Sequence, residues 1–415
     1  MTPINVGIIG AGYRGVNTLA ERIAEITNQT GLRVTALCDI RPERLTETQT
    51  YLQNQFQKQG VVLTIATYTN PNDLITDPNV DLVMITTPQS AHKDPAIVAL
   101  KSGKKVYLDK PIAHTLEDTI AIIEAEKRTQ NPMILGFTRR YEAPWRKAYQ
   151  LLQDGVIGDL HMLQIRDIIP FNTYFHRWHR KRQWSGDAIN DKSSHHMDVF
   201  NWFTGSRAAK ITGFGGQRVF TPKADTPTRC LECDLECPYR ANPTRGQIKS
   251  PEELSLTGDS WIHANDEYSR VDTCVYLPGA DILDHASIQI AYENGMIASL
   301  FLSFFGPKAE DQETLELVGT KGRLILTRHS GILDIVTDHG QTHEVIDCKK
   351  EDFDSSHFGA DLELVRELQT FYNGAPPLVS AYNGYEATRM IVAALQSIDS
   401  GGETIHMTHL PSAQL

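Results

Sequence analysis

At 415 residues the chain is longer than one hydrophobic core usually supports, so two domains are expected. Its 40% hydrophobic and 22% charged residues are typical of an ordinary globular protein, and a formal net charge of −11 argues against a nucleic-acid partner. Six cysteines are too few for a disulfide scaffold in a chain of this length. No apolar run approaches the roughly 18 residues of a membrane span, and no charged leader is evident, so we expect a cytoplasmic protein without a membrane partner.

The first predicted unit is a strand, a glycine turn and a helix. Residues 4–15 read INVGIIGAGYRG, and a helical pattern follows as far as about Ile26. In such a G-x-G-x-x-G turn Gly10 makes the tight turn, Gly12 lets the backbone approach a pyrophosphate, and Gly15 allows close helix–strand packing. The helix start offers N–H groups and a positive dipole end to phosphates. The sequence therefore predicts a dinucleotide site here.

An acidic residue follows the second predicted strand. Leu32–Cys38 is apolar and ends in Asp39, which is placed to bind a ribose 2′-hydroxyl. Its carboxylate would repel the extra phosphate of NADP, although Arg41 could partly compensate. We predict NAD as the cofactor, with NADP the less favoured choice.

Strand and helix patterns keep alternating as far as Phe137, which predicts a parallel, doubly wound sheet. The expected strands after the second are Val61–Tyr68, Asp81–Thr87, Lys105–Leu108 and Pro132–Phe137, and the expected helices are Arg41–Gln57, Asp94–Lys101 and a segment opened by a capping box at Thr115. Ligands of such sheets bind beyond the carboxyl ends of the strands. This places Gly10–Gly15, Asp39, Thr87-Pro88 and Asp109-Lys110-Pro111 on one rim.

Beyond Arg140 the pattern changes to strands without helices between them, which favours a mainly antiparallel sheet. The expected strands are Leu160–Ile168, Ile211–Val219, Thr273–Leu277, Ala286–Tyr292, Met296–Phe304, Glu313–Val318 and Arg323–Thr327, and two helices, Ala360–Tyr372 and Tyr382–Ser397, close the chain. We predict an α/β protein: a Rossmann domain over residues 1–137, and an α+β domain with a large open sheet over 138–415. Residues 221–265, rich in proline and cysteine, form an excursion from the second domain.

Two groups of residues carry candidate chemistry. Lys110 ends a strand on the rim, where its ammonium suits a substrate hydroxyl, although a solvated lysine would explain it equally well. On a helix, Asp191, His195 and Asp198 share one face. A histidine beside carboxylates suits a base that accepts a hydroxyl proton, while the alternative is a polar helix start with a hydrogen-bonded histidine.

Cys230, Cys233 and Cys237 have C-x-x-C-x-x-x-C spacing. With Cys274 or His263 as a fourth ligand they could hold zinc or an iron–sulfur centre. Because a second C-x-x-C pair is absent from the sequence, reduced structural thiols are the default, and we predict no metal.

Two further segments have both a binding and a structural interpretation. The basic run from His176 to Arg182 suits a lid that attracts an acidic sugar, but a solvated or subunit-contact loop explains it somewhat better. His357 and Asp361 open the first closing helix, where they either reach a substrate pocket or serve as a helix cap.

Taken together, the motifs resemble the Gfo/Idh/MocA family (glucose–fructose oxidoreductase, inositol dehydrogenase, rhizopine catabolism). The resemblance covers nearly the whole chain. It rests on the G-x-G-x-x-G turn, T-P-x-x-x-H (Thr87, Pro88, His92), D-K-P (Asp109 to Pro111), G-F-x-R-R-Y (Gly136 to Tyr141) and D-K-x-x-H-x-x-D (Asp191 to Asp198). The chain departs from the family pattern at Asp109, where a glutamate is usual, at Gly186-Asp187, a shortened glycine-rich lead, and at Lys192 directly after Asp191.

The resemblance implies NAD(P)-dependent oxidation or reduction at a sugar or polyol carbon, in a homo-oligomer joined through the open sheet. Lys110 would contact the reacting hydroxyl, His195 would be the acid/base, and Asp191 would hold the substrate. We assign cofactor contacts to Gly10, Gly12, Tyr13, Arg14, Gly15, Asp39, Thr87, Pro88, His92, Asp109 and Lys110. We assign substrate contacts to Arg139, Trp178, Lys192 and His196. Two alternatives remain: a glycosidase or epimerase that keeps NAD bound, and a nucleotide- or sugar-sensing protein without turnover.

Overall fold

The computed structural model describes residues 2–171, 174–176, 178–240, 273–307, 309–349 and 357–414. The predicted excursion is covered only as far as residue 240, so His263 lies outside the described residues. Arg177 of the basic run also lies outside them.

Six parallel strands form the first sheet. They are β1 (Ile4–Ile9), β2 (Leu32–Cys38), β3 (Ala66–Tyr68), β4 (Leu82–Ile85), β5 (Lys105–Leu108) and β6 (Met133–Leu135). The order β3-β2-β1-β4-β5-β6 is that of a Rossmann sheet, which confirms the predicted fold class. The chain turns in opposite directions from β1 and β4, and their carboxyl ends bound the crevice where such sheets bind ligands.

The helices around this sheet begin with a π-helical stretch, Arg14–Ala20, that directly follows the glycine turn. The others are α1 (Glu21–Glu25), α2 (Thr27–Thr30), α3 (Pro42–Lys58), α4 (Pro71–Thr76), α5 (Lys93–Lys101) and α6 (Leu116–Thr129). The start of α6 is the cap that the sequence predicts, because the Thr115 hydroxyl accepts a hydrogen bond of 3.1 Å from the Asp118 N–H.

Nine strands form the second sheet. They are β7 (Leu160–Pro170), β8 (Ala208–Gly216), β9 (His285–Tyr292), β10 (Ile297–Gly306), β11 (Glu313–Gly319), β12 (Gly322–Thr327), β13 (Ile332–Thr337), β14 (Thr342–Asp347) and β15 (Ile405–His406). Their order is β14-β13-β12-β11-β7-β10-β9-β8-β15. Neighbouring strands are antiparallel except β7 and β10, so the predicted mainly antiparallel sheet is confirmed.

The described residues after Arg140 include five α-helices: α7 (Ala143–Gln153), α8 (Arg182–Ser185), α9 (Ala188–Thr204), α10 (Ala360–Tyr372) and α11 (Ala381–Asp399). Helices α7, α9 and α11 pack against the nine-stranded sheet. The segment between α10 and α11 returns to the first sheet, where the Leu135 N–H donates to the Val379 carbonyl at 2.9 Å. The first sheet is therefore joined through its backbone to the connection between α10 and α11.

Several sequence predictions of elements differ from the structure. Only Ala66–Tyr68 of the expected strand Val61–Tyr68 is paired, because the residues before it have no partner in the sheet. Thr273–Leu277 is not a strand; Thr273 forms an isolated bridge with Arg229 instead. The sequence analysis missed α4, β13 and β14, which are short elements next to turns. Within the described residues, no helix is both long and apolar enough to cross a bilayer.

Candidate active site

A cavity of about 1020 Å³ opens at the carboxyl ends of β1, β2, β4 and β5. One part of its wall is the glycine turn and the end of β2. The opposite part comes from the second half of the chain, including the first turns of α9. The predicted rim of the parallel sheet is therefore the place where the two halves enclose a ligand-sized space.

The glycine turn leaves room for a phosphate group. Gly10 has φ +96°, and a Cβ there would lie 2.8 Å from the Thr86 carbonyl carbon. At Gly15 a Cβ would collide with the Thr86 side chain and the Gly10 carbonyl, so this glycine serves close packing. By contrast, a Cβ at Gly12 would meet only the Arg44 guanidinium, 3.7 Å away. The open side of the turn is thus at Gly12, as the pyrophosphate prediction requires.

Asp39 is held in place by backbone donors. The Ala11 N–H donates to one carboxylate oxygen at 3.1 Å and the Arg41 N–H to the other at 3.1 Å. The Arg41 guanidinium lies 3.6 Å from the same carboxylate and Arg44 lies 4.0 Å from it. Burial, and then the charge of Arg41, lower the pKa of Arg44 to about 10.

These residues fit a nicotinamide dinucleotide. Gly12 offers an unobstructed approach to the backbone, and Asp39 is oriented at the end of β2 where a ribose hydroxyl binds. The buried hydroxyl of Thr87, beside Gly10, has no hydrogen-bond partner among the described residues, so a polar ligand group can satisfy it.

Lys110 and Asp191 meet across the cavity. The Lys110 ammonium donates to the Asp191 backbone carbonyl at 2.9 Å and to its carboxylate at 3.2 Å. The Tyr174 hydroxyl donates to the other carboxylate oxygen at 3.0 Å. Although burial alone would raise the pKa of Asp191, Lys110 and then His179 hold that pKa below its ordinary value. Asp191 is therefore a carboxylate that fixes the position of the lysine.

His195 lines the same cavity one helical turn after Asp191. Its ring packs against Phe137 with 5.5 Å between centroids, and its Nδ1 has no hydrogen-bond partner among the described residues. Burial, followed by the charges of Arg139 and Lys110, lowers the pKa of His195 well below its ordinary value. The imidazole is consequently neutral at neutral pH and able to accept a proton.

The neighbouring His196 points into a buried network of charges. Its Nε2 lies 3.3 Å from Asp167 and 3.6 Å from Glu313. Lys192 lies 3.1 Å from the same Asp167 carboxylate, and Arg139 makes two hydrogen bonds of 2.9 Å to Glu313.

A third carboxylate and a further arginine complete this network. Glu142 accepts hydrogen bonds of 2.7 Å from Arg139 and 2.8 Å from Arg328. The three carboxylates Asp167, Glu142 and Glu313 are fully buried, and the cations Arg139, Lys192 and Arg328 balance them. The cavity is lined by the cations, while the carboxylates lie behind them.

Comparison with known proteins gives the family. Residues 4–137 match the model of the oxidoreductase family's NAD-binding Rossmann fold, and residues 149–407 match the model of its C-terminal alpha/beta domain. The chain belongs to the Gfo/Idh/MocA oxidoreductase family. The family resemblance inferred from the motifs is confirmed, and residues 4–137 of this family member form an NAD-binding domain, as predicted.

Two curated relatives illustrate the similarity. Inositol 2-dehydrogenase/D-chiro-inositol 3-dehydrogenase of Lactiplantibacillus plantarum is 31% identical over 219 residues, 52% of this chain and 55% of that protein. Myo-inositol 2-dehydrogenase of Thermotoga maritima is 25% identical over 95% of this chain and 96% of that protein. The match therefore spans little more than half the length of the first relative but almost all of the second.

Among solved structures, scyllo-inositol dehydrogenase from Lactobacillus casei, with bound NAD(H) and scyllo-inositol, superposes with a TM-score of 0.67. It is 20% identical and the comparison covers 98% of this chain and 100% of that one. Levoglucosan dehydrogenase in complex with NADH and levoglucosan gives a TM-score of 0.73 at 16% identity, over 98% of this chain and 100% of that one. At these identities the likeness shows the shared fold.

Most of the predicted site residues of this oxidoreductase-family chain lie on the cavity wall. Those that do are Gly10, Gly12, Tyr13, Arg14, Asp39, Thr87, Pro88, Asp109, Lys110, Arg139, Trp178, Asp191, Lys192 and His195. Gly15, His92 and His196 are outside the lining. Gly15 packs under the turn, as the sequence analysis expects of a third glycine.

His92 and His196 are placed differently from their predicted contacts. His92 is buried, with Nδ1 3.0 Å from the Pro111 carbonyl and Nε2 2.9 Å from the Thr87 carbonyl. It therefore connects the two backbone segments that follow β4 and β5. His196 is taken up by the buried network. Both side chains point away from the cavity because the backbone carbonyls and carboxylates behind the wall supply their polar partners.

The expected orientation of His195 by a neighbouring carboxylate is also absent from the described contacts. Asp198 accepts hydrogen bonds of 2.9 and 2.8 Å from Arg140 and is buried away from the cavity. Asp191 is taken by Lys110 and Tyr174. A shared helix face predicts that His195 lies close to Asp191 and Asp198. In the structure, however, the Asp198 carboxylate pairs with Arg140 and the Asp191 carboxylate with Lys110.

At the opening of α10, His357 lines the cavity, as a role at a substrate pocket requires, whereas Asp361 lies outside the lining and forms an ion pair with Arg14. Asp361 accepts from Arg14 of the glycine turn at 2.6 Å and lies 2.8 Å from the His357 ring. Arg14 also reaches Asp109 at 3.2 Å, and His357 lines the cavity. The residue at the cap position is Gly359.

The cysteine segment does not form a compact ligand set. Cys230, Cys233, Cys237 and Cys274 are not joined by disulfide bonds. Among the described residues, one set of three or more potential ligand atoms lies within 4.8 Å of one another, and it is Asp167, His196 and Glu313. Because three cations already pair with the carboxylates of that network, a metal ion there would meet strong electrostatic repulsion.

The sequence analysis did not single out four residues of the wall: Arg44, Gln89, Tyr174 and Arg328. Gln89 directly follows the Thr87-Pro88 rim motif and donates to Asp191 at 3.4 Å, so its position at a strand end was a usable signal. Arg44 in the first turn of α3, close after Asp39, was another. Tyr174 and Arg328 reach the wall through tertiary packing, for which the sequence offers no motif.

Proposed function

We propose that the protein is an NAD-dependent oxidoreductase that transfers a hydride between the cofactor and a hydroxyl-bearing carbon of a sugar, inositol or related polyol. One observation carries the proposal. The glycine turn and Asp39, which suit the dinucleotide, share a single cavity with Lys110, Asp191 and His195, which suit an alcohol.

In the proposed mechanism, NAD supplies the hydride acceptor when bound. The Lys110 ammonium, positioned by Asp191, donates a hydrogen bond to the reacting hydroxyl oxygen and stabilises the negative charge that develops on it. Neutral His195 accepts the hydroxyl proton, for which its lowered pKa keeps it deprotonated. In the reverse direction the same imidazole returns the proton.

The relatives' names support the substrate class. Those reported above are named for inositols or for levoglucosan, which are cyclic compounds carrying several hydroxyl groups. For the cofactor, the buried Asp39 carboxylate with its two backbone donors supports NAD over NADP.

We also propose that the protein forms a homo-oligomer and that it works in a reducing, cytoplasmic compartment. The nine-stranded sheet exposes large apolar side chains at Met162, Phe214 and Phe301, which supports association through this sheet. None of the six cysteines forms a disulfide bond in the structure, which supports a reducing compartment. Light scattering at several protein concentrations would test the oligomer.

The test of the activity is NADH absorbance with inositols, hexoses, uronates and glycosides as substrates. We expect NADH formation with at least one of them, abolished in Lys110→Met, and a titration of that variant with NADH separates lost catalysis from lost cofactor binding. Product formation without net NADH would favour the alternative of a retained cofactor. Binding without any turnover would favour a sensing protein.

A further inference from the structure

The cavity wall contributed by the second half of the chain is predominantly cationic. Among its described residues, Arg139, Lys192 and Arg328 carry positive charge and Asp191 is the one carboxylate. That carboxylate is already occupied by Lys110 and Tyr174. A ligand entering this part of the cavity therefore meets more positive than negative groups.

The counter-charges of these cations lie behind the wall. Asp167, Glu142 and Glu313 are fully buried, whereas the side chain of Lys192 is 20% exposed, toward the cavity that it lines. The network is neutral as a whole, but its positive ends face the ligand. In a cleft with low-dielectric walls such an arrangement attracts and orients an anionic group.

Lys192 has a donor that the proposed mechanism does not use. Its ammonium lies 3.1 Å from Asp167 in an ion pair and donates a long hydrogen bond of 3.5 Å to Glu313, which leaves an N–H for a ligand. In Arg139, by contrast, the Nε and both terminal nitrogens donate hydrogen bonds to Glu313 and Glu142. Of these two cations, Lys192 is the one able to bind a ligand without breaking a bidentate ion pair.

Lys192 lies beside the reacting groups. Lys192 and Lys110 line the same cavity, so one small molecule can place an anionic group on Lys192 and a hydroxyl on Lys110. The charges of Arg139, Lys110 and Lys192 also act together on His195, where they lower the pKa of the imidazole. The pKa of the proposed base is therefore lowered by the same positive charges that an anionic ligand would meet, in addition to the effect of burial.

We infer that the substrate carries a carboxylate, as in a uronic or other sugar acid, and that Lys192 binds it while Lys110 and His195 act on a hydroxyl of the same molecule. A singly charged carboxylate suits one ammonium N–H, whereas a phosphate dianion needs several donors. This inference rests on the proposed function for the chemistry but makes a separate claim about binding.

The test uses binding to the NADH-loaded protein, in which no alcohol is oxidised. Isothermal titration calorimetry would compare D-glucuronate with D-glucose, D-galacturonate with D-galactose, and glucose 6-phosphate with both. We expect one uronate to bind about tenfold or more tightly than its neutral sugar, the gain typical of a hydrogen bond to a charged group. Equal affinities, or tightest binding of the phosphate, would overturn the inference.

Variants then assign the preference to Lys192. Lys192→Met should bring the uronate to the affinity of the neutral sugar, with the neutral sugar changed less than about threefold, and Lys192→Arg should keep a preference. Lys101→Met, at an exposed lysine outside the cavity, is the control and should change neither. An equal loss for both ligands in Lys192→Met would indicate a structural role and refute the inference.

Failure of the proposed function remains distinguishable. An absence of NADH formation with any substrate would remove the oxidoreductase proposal while leaving the uronate preference measurable. Conversely, turnover of neutral polyols without a preference for acids would keep the oxidoreductase and discard the carboxylate.

Discussion

The cavity side and the buried side of helix α9 carry similar residues in different surroundings. Asp191 and His195 face the cavity, where the carboxylate holds Lys110 and the Nδ1 of the imidazole has no described partner. His196 and Asp198 face inward, where Asp198 pairs with Arg140 and His196 lies among buried carboxylates. Polar residues of one sequence motif thus divide into a reactive set and a structural set.

The contrast lies in access to the cavity: His195 lines it, whereas His196 is enclosed by buried carboxylates. A buried ion pair holds elements together, and breaking it is costly. In the proposed mechanism, the imidazole that lines the cavity is the one within reach of a ligand's proton. This division between the cavity side and the buried side of α9 predicts different effects for substitutions on each side.

Replacing His195 and His196 one at a time tests whether the two sides of α9 have different roles. His195→Asn should lower kcat by about 100- to 10,000-fold, the usual contribution of a general base, while the affinity for NADH is unchanged. His196→Asn should change kcat by less than about threefold, because that side chain lies outside the cavity lining. Steady-state kinetics with NADH titration measures both. Comparable losses of kcat in the two variants would erase the distinction.

Glu313→Gln should damage the buried side. The variant leaves Arg139, Lys192 and Arg328 with fewer counter-charges, and breaking a buried pair costs about 3–5 kcal/mol. The free energy of unfolding in urea measures the loss. Glu344→Gln, at an exposed position of β14, is the matched control and should be neutral. A neutral Glu313→Gln would mean that the network is not held by charge.

Asp198→Asn should have a smaller effect on stability. Asp198 accepts two hydrogen bonds from Arg140, at 2.9 and 2.8 Å, and a hydrogen bond to a charged group contributes about 1.5–3 kcal/mol. Thermal unfolding of the variant, with the exposed Asp73→Asn as reference, checks this value. If kcat fell strongly without a loss of stability, Asp198 would belong with the reactive set instead.

The pH profile sharpens the assignment of His195. A base must be neutral to act, and the pKa of His195 lies well below 6.5 in the folded protein. The rate of alcohol oxidation should therefore hold at pH 6.5 and fall only at lower pH. An acidic limb centred at or above 6.5 would contradict the lowered pKa; unfolding monitored over the same pH range is the control.

Much of the fold follows from local sequence. The glycine turn, the alternation of apolar runs with helical patterns and the Thr115 cap predict the parallel sheet, because each depends on residues close together in the chain. For the same reason, the sequence alone predicts that Lys110 and Asp39 lie at strand ends and that Asp191 and His195 lie one helical turn apart.

What the sequence left open depends on distant partners. His92 and His196 have motif positions that suggest ligand contacts, but their polar partners, the Thr87 and Pro111 carbonyls in one case and Asp167 and Glu313 in the other, arrive through tertiary packing. The cationic wall is likewise assembled from the separate segments that hold Arg139, Lys192 and Arg328. No spacing rule connects these segments.

The hydrogen bond between Leu135 and Val379 has a practical consequence for dissecting the molecule. A fragment ending at residue 137, where the sequence places the domain boundary, would keep all six parallel strands but lose the backbone that covers β6. The bared strand would present open N–H and C=O groups to other molecules, and such edges promote aggregation. Separate expression of the nucleotide-binding half should therefore succeed better when the tail that contains Val379 is supplied as a second polypeptide.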